Sequence, residues 1–268
     1  MKTGVVYKNI GETPLEALQR FRFDHVILHD VPLAYAGRLD PMAEGKILVL
    51  VGDECKQVEF YRNLDKEYEV EILLGVRTDT ADVLGMATLE DIPELPPTVQ
   101  LKRVLKGFIG RFPWPFPPYS SKPVNGKPLF VWALEGKLHE IEIPKTDTRI
   151  HELEYLGVDA VHSEKLMEYI EKKISLITTV TASTKVLGND FRRKEILLKW
   201  HALLKDTDMQ FPIVRIRVVS GSGAYMRTLS EKVGHALGSH AVALSIKRTK
   251  IGRRRSLLGL VHFWWPRW

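Results

Sequence analysis

Hydrophobic and polar positions change their period several times along this chain. Gly4–Tyr7 is a short apolar run that reads as a strand, closed by the turn Asn9–Glu12. T-P-L-E then marks a helix start. Thr13 suits the N-cap, Pro14 the first helical position, and Glu16 the reciprocal half of a capping box. The spacing of Leu15, Leu18 and Phe21 predicts a helix over Pro14–Phe23. Lys46–Val51 (KILVLV) is expected to be a buried strand. Glu67–Leu74 (EYEVEILL) alternates, with Tyr68, Val70 and Ile72 on one face and Glu67, Glu69 and Glu71 on the other. Val99–Gly110 returns to helical spacing, with Leu101, Val104, Leu105, Phe108 and Ile109 on one stripe. Arg149–Val158 and Ile213–Ser220 read as strands; Ser163–Lys173, Glu195–Lys205 and Tyr225–Leu237 read as helices.

The stretches between these elements are polar or rich in turn formers. GRLDPMAEG is a loop with Asp-Pro as its turn signal, and an acidic, proline-bearing connector lies around Glu90–Pro97. Arg111–Leu129 carries six prolines and is expected to be an ordered or binding loop with no regular structure. Strands and helices mix without a βαβ rhythm, which favours α+β over a doubly wound sheet.

Composition narrows the class. The chain has 268 residues, 44% hydrophobic and 27% charged, which permits a real core. Its longest stretches without a charged side chain, Ile174–Thr184 and Ser256–Pro266, fall well short of the ~20 residues of a membrane helix. The start lacks the apolar segment of a secretory signal, and the single cysteine, Cys55, fits a reducing compartment. A soluble cytoplasmic protein with no membrane partner is expected. The net charge of +6 is concentrated in KRTKIGRRR, where Lys247, Arg248, Lys250, Arg253, Arg254 and Arg255 fall within nine residues. Such a cluster suits a polyanion, nucleic acid before anionic lipid, although a solvated face accounts for charge alone nearly as well.

Few side chains offer chemistry. His25 and His29 are four apart, but HVILH has no Glu and no third ligand, so packing outweighs zinc. The short glycine pair Gly221–Gly223 is weak as a phosphate cradle. Thr78–Asp82 lacks the spacing of a calcium loop, and a satisfied turn is its default. Cys55, between Glu54 and Lys56, has nothing beside it in sequence to make it a thiolate. Asp40 precedes a proline and by itself is most simply a turn former. A carboxylate in a tight loop becomes a nucleophile only if a cation holds it ionised and aimed.

Six blocks, in order, resemble the TruB type of pseudouridine synthase: KNIGETPLEALQRFR, GRLDPMAEGKILVLVGDECKQ, LDKEYEVEILLGVRTDTADVLG, FIGRFPWPFPPYSSKPVNGKPLFVWALEG, VSGSGAYMRTLSEKVGHALG and SIKRTKIG. Together they cover most of residues 4–252. The resemblance implies isomerisation of uridine to pseudouridine in the tRNA T-loop, at the position conventionally numbered 55, with no cofactor, no metal and no obligate protein partner. It implies a mixed, mostly antiparallel sheet flanked by helices and loops. Carried over by position, Asp40 is the nucleophile, Tyr68 packs on the extruded base, and Arg227 pairs with Asp40. Tyr35, Tyr225, Ile246, Lys8, Asp82 and Lys122 are placed on the substrate, and the six cations of Lys247–Arg255 on the RNA backbone.

The departures carry expectations of their own. The family's His five residues before the Asp is Tyr35 here, and its neighbours are Ala34, Ala36 and Arg38, which implies altered substrate handling with the chemistry kept. GRLD is also the spelling of the RsuA and RluA types, so a ribosomal RNA uridine is an alternative target. A non-catalytic tRNA-binding protein is another, although Asp40 and Arg227 are both present. Residues 159–210 are expected to form a helical insertion. Only 19 residues follow Thr249, too few for the RNA-binding PUA domain of many relatives, and Trp264, Trp265 and Trp268 are expected to pack on the core in preference to touching RNA.

Overall fold

The computed structural model describes residues 1–177, 192–257 and 261–265. The chain opens with β1 (Thr3–Lys8), α1 (Pro14–Asp24), β2 (Leu33–Ala36), β3 (Glu44–Val51), α2 (Val58–Arg62) and β4 (Asp65–Leu74). The predicted capping box is formed: the Glu16 amide donates to Thr13 Oγ1 at 3.1 Å and the Thr13 amide to Glu16 Oε2 at 2.6 Å. The buried face of α1 is Ala17, Leu18 and Phe21. His25 closes the helix, stacked on Phe21, and its ring nitrogen bonds the Phe21 carbonyl at 2.8 Å.

A small hairpin follows, β5 (Val76–Thr78) with β6 (Ala87–Leu89), then α3 (Thr98–Lys106) and β7 (Gly110–Pro115). The predicted stripe of α3 is buried at Leu101 and Leu105, but the helix stops at Lys106, leaving Phe108 and Ile109 beyond it. The expectation of no regular structure in Arg111–Leu129 is corrected. Its first residues form β7, and Pro123–Val124 (β8) and Lys127–Pro128 (β9) pair with one another. Among the described residues β7 is an edge strand, paired only with β10, and Pro113 and Pro115, two apart, fall on one side of it. An edge tolerates proline because one side of the strand needs no donor. Sequence pattern cannot tell an edge from a centre.

The chain continues through α4 (Leu129–Leu134), β10 (Lys145–His162), α5 (Ser163–Ser175), α6 (Arg193–Leu204), β11 (Gln210–Ser220), α7 (Met226–Ala236), β12 (Ala241–Leu257) and β13 (Val261–Trp265). Within the expected insertion, residues 163–175 and 193–204 are helical, whereas 159–162 still belong to β10 and 210 already to β11. The apolar faces of α5 and α6, including Leu166, Ile170, Ile174, Ile196 and Trp200, share one core with the sheet.

Among the described residues the main sheet runs β1-β3-β12-β4-β11-β10-β7, with β2 on β3 and β13 on β12. Every pairing is antiparallel except the short one between β3 and β12. The fold is therefore α+β, as the missing βαβ rhythm implied. Tyr68, Val70 and Ile72 of β4 are buried as predicted. Glu67, expected on a solvent face, is buried too, because β12 crosses there: Lys250 Nζ reaches its carboxylate at 2.9 Å and the Thr249 hydroxyl at 2.8 Å.

Candidate active site

Three segments meet around Arg227. The turn Gly221–Gly223 brings the chain out of β11 into α7; Gly223 has φ +80°, and a Cβ there would sit 2.6 Å from Thr146 Oγ1. That pair of glycines serves the turn. Residues Met226–Ser230 are buried in the first turns of α7, so Arg227 projects into the interior, its side chain 3% exposed. A buried guanidinium needs an acceptor for each donor and a counter-charge. Nε donates to Asp40 Oδ2 at 2.8 Å, Nη1 to the Thr80 carbonyl at 2.8 Å, and Nη2 to the Tyr119 carbonyl at 3.0 Å. Burial pulls the Arg227 pKa down, but the charges of Asp40 and Asp82 more than reverse this and raise it.

Asp40 is the exposed member, with 37% of its side chain accessible. Asp82, expected on substrate, is buried instead, a further correction: its Oδ2 lies 3.6 Å from Arg227 Nε, inside the fold. It accepts from the Thr80 hydroxyl at 2.7 Å and from the Leu84 amide at 2.9 Å. Burial pushes its carboxyl up to about 6, against the pull of Arg227 and the Thr80 hydroxyl. One cation is thus shared by two unlike carboxylates, one closed inside the fold and one facing outward.

The Asp40 loop is held from beneath by two buried cations, and here two expectations are corrected. Lys8, expected on substrate, has no exposed surface; its ammonium donates to the Ala43 carbonyl at 2.6 Å and the Asn9 carbonyl at 3.0 Å. Burial draws it down to about 8, with the charge of Asp40 opposing. Arg248, expected on RNA phosphate, is 1% exposed, and donates to the carbonyls of Lys46, Arg38 and Gly37 at 2.6, 3.3 and 3.2 Å. Loop carbonyls that face inward cannot reach water, so a buried donor must meet them. A run of basic letters does not reveal this, because β12 alternates its faces as it enters the sheet.

The other expected residues lie on several elements. Tyr225 precedes α7, with its ring edge-on to Phe116 at 5.9 Å. Its phenol is pushed up by burial and then by the charge of Asp40. Tyr68 and Ile246 are buried in the neighbouring strands β4 and β12, and Tyr35 of β2 packs partly buried against the core. Lys122 is exposed, 5.2 Å from the Phe116 ring. Of the basic cluster, Lys247 and Arg253 are exposed, Lys250 pairs with Glu67, and Arg254 pairs with Glu152. The side chains of Arg255 and Trp265, and all of Trp268, lie outside the described residues; Trp264 is half-buried.

The order of the motifs agrees with the comparisons. Residues 27–177 match the TruB family pseudouridylate synthase, N terminal domain. The chain belongs to this family. A tRNA pseudouridine synthase B of Deinococcus radiodurans is 30% identical over 223 residues, covering 82% of this chain and 65% of that protein. Its counterpart in Francisella philomiragia subsp. philomiragia is 29% identical over 251 residues, covering 92% and 64%. This member of the TruB family thus spans just under two thirds of the length of those relatives. A chain of the crystal structure of a Cbf5–Nop10–Gar1 complex shares the fold, with a TM-score of 0.52 at 18% identity over 93% of this chain and 49% of that one.

Sequence reasoning missed Thr80 and Tyr119, whose backbone oxygens complete the Arg227 site. Both lie inside quoted motif blocks, but a carbonyl acceptor leaves no signature in residue type. Arg192 and Asp79, which meet Tyr119 from outside, were missed as well.

Proposed function

We propose that this chain isomerises uridine to pseudouridine in the tRNA T-loop, at position 55, with Asp40 as the nucleophile and without cofactor or metal. The observation that carries this reading is Arg227: a buried guanidinium 2.8 Å from the one outward-facing carboxylate of the cluster. A cation so placed pairs with the Asp40 carboxylate through a charge-assisted hydrogen bond and fixes its direction. Isomerisation breaks the bond between N1 and C1′ and joins C5 to C1′; the C5 proton is lost and N1 gains one, so nothing else is consumed. The carboxylate supports this by adding to C1′ or to C6 of the base. The uracil must leave its stack to be reached, which calls for an aromatic and apolar pocket. In this reading Tyr68, Tyr225 and Ile246 receive the base, Tyr35 takes the place of the family's histidine, and Lys122, Lys247 and Arg253 meet the RNA. Residues 1–268 then act as a catalytic domain with 159–210 as an insertion in it.

The test uses an unmodified tRNA transcript and an isolated T-arm stem-loop, each incubated with wild type and with Asp40→Asn, and pseudouridine mapped by position. Conversion of the T-loop uridine by wild type, and none by a folded, RNA-binding Asp40→Asn, is expected. Conversion of a ribosomal RNA uridine instead would move the target. RNA binding with no conversion anywhere would leave only a binding role.

A further inference from the structure

The two carbonyls that orient the Arg227 guanidinium come from separate segments, the turn at residues 79–82 and the loop at residues 117–122. The turn is tied to β12, where the Ala243 amide donates to the Ala81 carbonyl at 3.0 Å, and the loop to α4, where the Phe130 amide donates to the Ser120 carbonyl at 3.1 Å, but neither tie runs from one segment to the other. What joins them is a single cluster. Asp79 Oδ2 accepts from the Tyr119 hydroxyl at 2.8 Å and from Arg192 Nη1 at 2.7 Å, while Oδ1 accepts from the Met86 amide at 2.8 Å. The Arg192 guanidinium also lies 5.0 Å from the centre of the Tyr119 ring. Asp79 is the residue before Thr80, and Tyr119 itself supplies the second carbonyl acceptor of the site, so this cluster sits directly outside Arg227. Arg192 stands at the start of α6 with φ +58°, a conformation that costs a non-glycine residue energy and needs support. That support includes α6 itself, whose Trp200 Nε1 donates to the Val83 carbonyl at 3.1 Å, in the same turn. Among the described residues, Arg192 and Trp200 are the members of this arrangement drawn from between β10 and β11.

We infer that Arg192 is a positioning residue for the reaction: it staples the Tyr119 loop to the Asp79 turn and so fixes the two carbonyls that aim Arg227 at Asp40. The inference rests on the proposed function for its chemical consequence, but its structural half stands apart from it. Arg192 touches neither Asp40 nor Arg227, and it acts through Tyr119 and Asp79. The arrangement has a directional consequence. Loss of the staple lets the guanidinium wander from the carboxylate while leaving the RNA-facing surface in place, so rate falls and affinity does not.

The experiment compares Arg192→Ala, Arg192→Lys and Tyr119→Phe with wild type in single-turnover conversion of the T-arm stem-loop at saturating and sub-saturating protein. The Hε of Arg227 is followed in parallel by NMR hydrogen exchange without RNA. Tyr119→Phe removes only the phenolic bond and guards against a fold defect in the arginine variant. Expected are a fall of about tenfold in the saturated rate for Arg192→Ala and Tyr119→Phe, an unchanged dissociation constant, and no further loss in the double variant. Arg192→Lys, which keeps the bond to Asp79, recovers most of the rate. Exchange of the Arg227 Hε accelerates in both single variants. An unchanged rate and unchanged exchange would overturn the inference, and so would weakened RNA binding at full saturated rate, which makes Arg192 a phosphate ligand. If wild type converts no RNA, the proposed function fails; the exchange result then decides the staple by itself.

Discussion

Arg227 and its two carboxylates give a pH signature that belongs to single side chains. Asp82 is pushed from 3.8 to about 6 by burial. The folded protein therefore holds a proton between those values that the unfolded chain has already released. Stability from this group is full below its unfolded value and is lost as pH rises toward 6, on the order of 3 kcal/mol over the window. Carboxylates such as Asp65, lowered mainly by its hydrogen bond from His151 against the cost of burial, act in the opposite sense, so the measurement must be a difference. Urea unfolding of wild type and Asp82→Asn across pH 4–7 is expected to show wild type losing stability relative to the variant as pH rises. A constant difference would mean that Asp82 does not titrate there. Lys8, drawn down to about 8, has the mirror effect, adding stability as pH climbs from there toward its ordinary value.

Elements are tied to this site through backbone contacts that only particular residues permit. Gly45 has φ +119°, and a Cβ there would lie 2.3 Å from the Arg248 carbonyl, at the parallel pairing of β3 with β12. Gly45→Ala is expected to lower stability by more than the ~1–3 kcal/mol of the strained backbone alone, because β12 must also move away. Thr13→Ala removes a capping-box bond at an exposed helix start and is expected to cost about 1 kcal/mol. Chemical denaturation of both variants checks the order; a Gly45→Ala change smaller than that of Thr13→Ala would contradict the packing described. The capping box was legible because its residues are three apart and bond to one another. The edge role of β7 and the inward turn of Glu67 were not, because both depend on which strand arrives alongside.

For the molecule as a whole, the basic cluster divides its labour. Arg248 braces the Asp40 loop, Arg254 and Lys250 are paired, and Lys247 and Arg253 face outward. Each exposed cation that meets a phosphate releases counter-ion, so Lys247→Ala and Arg253→Ala are each expected to weaken tRNA binding and to reduce the salt slope of log K by about one. Arg248→Met is expected to leave the salt slope alone and to destabilise the fold by about 3 kcal/mol, having left buried carbonyls without donors. Binding titrations at several salt concentrations, beside urea unfolding, separate the two classes. An Arg248→Met protein of wild-type stability with a reduced slope would reverse the assignment.

The sequence by itself determined the α+β class, most helices and strands, and the family, since these rest on local period, caps and ordered motifs. It also singled out Asp40 and Arg227, 187 residues apart, through the blocks that carry them. Tertiary structure decided what each cation does. Whether Lys8, Arg248 or Arg192 meets water, a carbonyl or a carboxylate depends on burial and on the backbone that lies opposite. Neither is encoded in a residue's type or in its neighbours along the chain.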